Sequence, residues 1–157
     1  MKIKLIVVGK SVFDFVKEGE VVYESRLVHY LPFEKIVLPD IKNPKNFSKD
    51  ELKKKEGELI LSKVTSQDFL VLMDENGSYF SSVKFSEWLN QKLNEGTRSL
   101  VFVIGGAFGF SKEVYERSNN IISLSKMTFS HQLVRIIFLE QLYRAQTILK
   151  GEPYHHE

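Results

Sequence analysis

The chain has 157 residues, 43% of them hydrophobic and 27% charged, enough for one sizeable core and a single domain spanning residues 1–157. A formal charge of +2 is too small for an electrostatic DNA clamp and leaves room for a local basic patch facing RNA phosphates. With no cysteine in the chain, disulfide frameworks, thiolate zinc sites and cysteine nucleophiles are excluded.

The β-branched run from Lys2 to Val8 ends at Gly9 and is far too short for a signal or spanning segment, so it reads as a buried strand. No other stretch approaches membrane length, and the expectation is a soluble, cytoplasmic protein without a membrane partner. Phe15, Val16, Val22, Tyr23 and Leu27 give residues 13–27 a helical spacing weakened by Gly19. Residues 33–38, stopped by Pro39, form a second strand, and Ser48 with Glu51 makes a capping box for a charged helix over 51–63. In that helix the Lys53-Lys54-Lys55 run, balanced by Glu51, Glu56 and Glu58, reads as a solvated face.

Residues 68–73 form a third strand, Asn76-Gly77 signals a turn, and Ser81-Ser82 caps a helix running to Gly96 with Phe85, Leu89 and Leu93 on its buried face. Residues 100–104 are a fourth strand, entering Gly105-Gly106-Ala107-Phe108-Gly109, and Ser111 caps a short helix ending at Arg117. A fifth strand covers 120–124, and the strongest helical pattern covers 131–149, ended by Gly151. Strands alternating with helices specify an α/β fold with a mainly parallel sheet flanked by helices, whose ligand crevice lies at the carboxyl ends of the strands. The loops after the fourth and fifth strands are therefore the candidate site.

Gly105 and Gly106 let the backbone approach a nucleoside or a phosphate, although a tight strand-to-helix turn needs the same residues. Their spacing fails the dinucleotide fingerprint, and Phe110-Ser111-Lys112 lacks the order of a phosphate-binding loop. The neighbouring string Leu124-Ser125-Lys126-Met127-Thr128-Phe129-Ser130-His131-Gln132-Leu133-Val134-Arg135 decides between these readings.

Together with Ile104-Gly105-Gly106, Glu140-Gln141-Leu142-Tyr143-Arg144-Ala145 and Gly151-Glu152-Pro153-Tyr154-His155, that string resembles the ribosomal large-subunit pseudouridine methyltransferases, the RlmH family. The resemblance spans essentially the whole chain. It implies a SPOUT α/β fold whose carboxyl-terminal segment forms a deep trefoil knot, an arrangement that ordinary topology rules would not suggest. It also implies S-adenosylmethionine bound in the knot by Met73, Gly105, Gly106 and the loop Leu124, Ser125, Lys126, Met127, Thr128 and Phe129. It further implies a homodimer that methylates N3 of a pseudouridine in 23S ribosomal RNA on the 70S ribosome.

Removing the imide proton calls for a base or a cation near the reacting nitrogen. Histidine is the side-chain type suited to proton transfer near neutrality, and His131 and His155 lie in matched motifs, whereas His29 and His156 lack that support. Tyr154 precedes His155, and Arg135 and Arg144 are the candidates for binding RNA or a carboxylate. The two arginines are nine residues apart and project about 180° from one another on a helix, so one site would need one from each subunit. The family usually has a basic residue after the Tyr-His pair where this chain has His156-Glu157, leucine at Met73 and proline at Ser130. A non-catalytic RNA- or nucleotide-binding dimer of the same fold is the alternative, distinguished by salt-dependent RNA affinity without methyl transfer.

Overall fold

In β1 (Lys2–Val8) the side chains alternate between two cores. Ile3, Leu5 and Val7 point into one, and Ile6 and Val8 into the other. A strand buried on both faces reads as a continuous apolar run, which is why no polar alternation shows in the sequence. The computed structural model describes residues 1–156. Glu157, half of the His156-Glu157 departure, lies outside the described residues.

The further elements are α1 (Asp14–Leu27), β2 (Phe33–Leu38), a 3₁₀ turn (Pro44–Asn46), α2 (Lys49–Leu61), β3 (Phe69–Tyr79) and α3 (Ser82–Asn94). They are followed by β4 (Ser99–Ile104), α4 (Lys112–Arg117), β5 (Asn120–Ser123) and α5 (Leu133–Lys150). The five strands form one sheet of order β2-β1-β4-β3-β5, with every pairing parallel. Leu27 of α1, Phe85 and Leu89 of α3, and Phe138, Leu139 and Leu142 of α5 fill one core, while Ile60 of α2 and Val114 of α4 fill the other. The result is the three-layer α/β arrangement expected.

Three caps work as read: the hydroxyls of Ser48, Ser81 and Ser111 accept from the amides of Glu51, Lys84 and Val114. Ser130 adds a fourth contact at a helix start, accepting from the Leu133 amide at 3.1 Å, so the residue that replaces the family's proline still orders the entry to α5. That helix begins at Leu133 rather than His131. Helix α1 runs unbroken through Gly19, against which Ile136 of α5 packs. Its exposed side carries Phe15 and Val22, and Leu93 of α3 is 49% exposed, so these three lie outside the faces the spacing assigned them.

The largest departure is in β3. Asn76-Gly77 does not reverse the chain. The strand continues to Tyr79 with its register to β5 shifted between Met73 and Ser78, so residues 74–77 bulge from the ladder. A Cβ on Gly77 would lie 2.6 Å from the Ile121 carbonyl carbon, so only glycine lets the two backbones approach this closely.

Phe138 is fully buried, with its ring centroid 4.8 Å from that of Phe102. Phe138→Ala should cost about 3–5 kcal/mol in urea unfolding, whereas Leu93→Ala should cost about 0.5 kcal/mol or less. Equal losses would mean that the core is not where the packing puts it.

Candidate active site

The carboxyl ends of β3, β4 and β5 open into a cavity of about 470 Å³. Met73, Gly105, Gly106, Leu124, Ser125, Met127, Thr128, Phe129 and His131 all line it. Of the loop expected to bind cofactor, Lys126 alone is outside the lining. Its ammonium lies 5.6 Å from the centre of the Tyr79 ring. β4 and β5 are buried at their last residues and β3 is buried up to Leu72, just before its bulge, so the segments after Met73, Ile104 and Ser123 leave neighbouring strands side by side and face one space.

Two side-chain devices fix the loops. Tyr115 of α4 donates its hydroxyl proton to one oxygen of Asp74, and the other oxygen accepts from the Asn76 amide at 2.8 Å, which sets the shape of the β3 bulge. Burial, and then the Asp74 carboxylate, push the Tyr115 hydroxyl well above the usual tyrosine range, so it stays a donor. In the last loop the Ser123 hydroxyl donates to the Ser125 carbonyl at 2.8 Å, and the Ser125 hydroxyl accepts from the Met127 amide at 3.0 Å. Met127 itself is 76% exposed at the rim.

Arg135 is elsewhere. It has no exposed surface, and its guanidinium donates to the carbonyls of Val8 at 2.7 Å, Gly9 at 2.9 Å and His131 at 3.2 Å, and to the Ser11 hydroxyl at 3.1 Å. Ser11 donates onward to Glu20, which Lys35 meets at 3.2 Å. Burial lowers the Arg135 pKa, while Glu20 and Asp40 act in the opposite sense. The expectation that Arg135 contacts RNA or a cofactor carboxylate is therefore corrected, because its donors are spent inside the protein. Gln132 reinforces the same junction by accepting from the Val12 amide at 2.9 Å.

Arg144, Tyr154 and His155 form a second cluster outside the cavity lining. Arg144 donates to Glu140 at 3.0 Å, lies 3.2 Å from Nδ1 of His155, and stacks 4.8 Å over the Tyr154 ring. Tyr154 in turn donates to Glu140 at 3.1 Å. The tail is tied down rather than frayed: the Glu152 amide donates to the Thr147 carbonyl, and Tyr30 donates to the Glu152 carboxylate. Within one protomer the candidate residues thus divide into a cavity group containing His131 and a tail group on α5.

A family model described as "Predicted SPOUT methyltransferase" matches residues 1–155. The chain is 55% identical over 156 residues to the ribosomal RNA large subunit methyltransferase H of Christiangramia forsetii, covering 99% of each. It is 55% identical over 157 residues to the protein of that name from Parabacteroides distasonis and 54% to that from Flavobacterium johnsoniae, covering all of each. The chain belongs to the SPOUT methyltransferases and, within them, to the RlmH family. The resemblance carried by the loop motifs is thereby established along the whole length.

Asp74, Glu75 and Tyr115 also line the cavity, and none of them was among the expected site residues. The first two were hidden by the Asn76-Gly77 turn signal. Their position directly after a buried strand was the clue that pointed to the crevice.

Replacing Arg135 by Met should cost about 3–5 kcal/mol in urea unfolding, because it leaves the buried carbonyls of Val8 and Gly9 without their donors. Arg144→Met, in a partly exposed pair, should cost about 1 kcal/mol or less. A stable Arg135→Met variant would contradict the bracing role.

Proposed function

We propose that this protein transfers the methyl group of S-adenosylmethionine to N3 of a pseudouridine in 23S ribosomal RNA, as a cytoplasmic homodimer acting on the assembled 70S ribosome. The observation that carries the reading is the convergence of eight expected cofactor-binding residues and His131 on one cavity, in a chain matched end to end by large-subunit methyltransferases.

The cavity suits this cofactor. Its volume falls within the roughly 300–1,000 Å³ of small-molecule sites. Met73, Ile104 and Leu124 offer apolar walls for a base, loop backbone brackets it, and Asp74 and Glu75 provide carboxylates suited to ribose hydroxyls and a cation. When bound, the cofactor supplies an electrophilic methyl on a sulfonium. The membership also supports a knotted carboxyl-terminal segment. In keeping with this, the chain leaves the edge strand β5, and its next helix is tied by Arg135 and Gln132 to the end of β1.

The protein's own residues must accept the imide proton and hold the resulting anion. Forming the N3–methyl bond breaks the sulfur–methyl bond and releases the N3 proton. His131 stands at the cavity, and Arg144, 3.2 Å from Nδ1 of His155, offers a cation to hold the anion. A homodimer in which one protomer's tail cluster faces the other's cavity unites them. Met127 and Phe129 of the cavity lining are exposed, as are Phe13, Phe15 and Leu133 elsewhere on the surface, and these apolar side chains support a partner surface. Among the described residues no helix is long and apolar enough to cross a membrane, and the reading involves neither membrane nor DNA.

Labelled methyl transfer from S-adenosylmethionine to whole ribosomes, separated subunits and free ribosomal RNA, followed by mapping of the labelled nucleotide, tests this. Label on pseudouridine N3 is expected. Salt-dependent RNA binding with no label on any substrate would instead establish the non-catalytic alternative. His155→Ala and Arg144→Ala should each lower the single-turnover rate by about 100-fold or more while leaving cofactor affinity within about threefold.

A further inference from the structure

Helix α2 is the charged helix whose lysines read as a solvated face, and it lies against the opposite core from α5. Two of its residues nevertheless meet the cavity's glycine loop from outside, and a third packs against α4, which follows it. Lys49 lies 5.4 Å from the centre of the Phe108 ring. Gly57 packs its backbone against Ser111 and Val114, so a side chain there would collide with both. The carboxylate of Glu56 sits directly over Gly106, where an added Cβ would fall 2.7 Å from Oε1 and 2.8 Å from Oε2.

Glu56 is half-buried and is not used by the neighbouring lysines. Lys53 pairs with Asp50 at 3.9 Å, and Lys55 lies 4.6 Å from the centre of the Phe47 ring. Burial, and then the nearby Asp40 charge, raise its pKa, with the Gly106 backbone acting in the opposite sense. A carboxylate packed where a Gly106 Cβ would lie backs the turn from the α2 side, so removing it frees the Gly106 peptide to shift. Gly106 opens the loop on the cavity side, so the orientation of its peptide sets what the loop backbone offers a ligand.

Resting on the reading that the cavity binds S-adenosylmethionine, we propose that Glu56 is a positioning residue that holds the Gly105-Gly106 turn in its cofactor-binding shape from outside the cavity. Glu56 touches no reacting atom. Its effect is on the affinity for cofactor rather than on the chemical step.

The test is calorimetric binding of S-adenosylmethionine to the full chain as wild type, Glu56→Gln and Glu56→Ala, with unfolding midpoints and single-turnover rates at saturating cofactor. Glutamine keeps the shape that packs over Gly106 and alanine does not. Glu56→Ala should weaken binding about tenfold and Glu56→Gln less than about threefold, with saturated rates within about twofold of wild type. The Gly106 amide resonance, read without cofactor, should move in Glu56→Ala and stay near its wild-type position in Glu56→Gln. This readout holds whatever happens to activity, and Glu56→Asp, with its carboxylate drawn back from Gly106, should follow alanine if that variant folds poorly. Wild-type affinity in Glu56→Ala, or equal weakening in the glutamine and alanine variants, would overturn the inference alone. A wild-type protein that binds no S-adenosylmethionine would overturn the parent reading and this inference with it.

Discussion

A single buried guanidinium joins the two ends of the fold. Arg135 leaves the start of α5 and spends its donors on the carbonyls of Val8, Gly9 and His131 and on Ser11. Burying a charge this completely is costly unless every donor is satisfied and a counter-charge is close, which Glu20 supplies through Ser11. The return on that cost is geometric. The chain between β5 and α5 carries Leu124 to His131, and its far end is fixed to the interior strand β1. The last loop is therefore held at both ends across the mouth of the sheet.

The catalytic reading follows from how α5 divides its work. Its amino-terminal end borders the cavity with His131, whereas its carboxyl-terminal half carries Glu140 and Arg144 and receives Tyr154 and His155 from the tail. Neither group is complete alone, since the cavity has a place for a methyl donor and the tail has the paired cation and imidazole. Exposed apolar side chains, Met127 and Phe129 of the cavity lining among them, favour the proposed pairing of two protomers.

Much of this was legible in the sequence, because buried parallel strands, serine caps and a glycine helix stop each have local causes. β1 and β2 begin and end where composition put them, and Ser48, Ser81 and Ser111 cap as expected. The β3 bulge was not legible: Asn76-Gly77 is a strong local turn signal, and the pairing of Ser78 and Tyr79 with β5 overrides it. Arg135 was misassigned for a related reason. An arginine in a polar, motif-rich stretch gives no sign of burial until the carbonyls of Val8 and Gly9, distant in sequence, are brought beneath it. The tail showed the opposite, since a terminus that local rules would leave frayed is held by Tyr30 and by the Thr147 carbonyl.

In the proposed homodimer a working site takes its cavity from one protomer and its tail cluster from the other. The direct measurement is subunit complementation: two variants, one with the cavity blocked by Thr128→Trp and one with the tail disabled by Arg144→Ala, are co-expressed with different tags, purified as the mixed dimer and assayed for methyl transfer to ribosomes. The account predicts that each variant alone is inactive and that the mixed dimer, which holds one intact pair of cavity and tail, is active. An inactive mixed dimer in which both subunits are folded would contradict it.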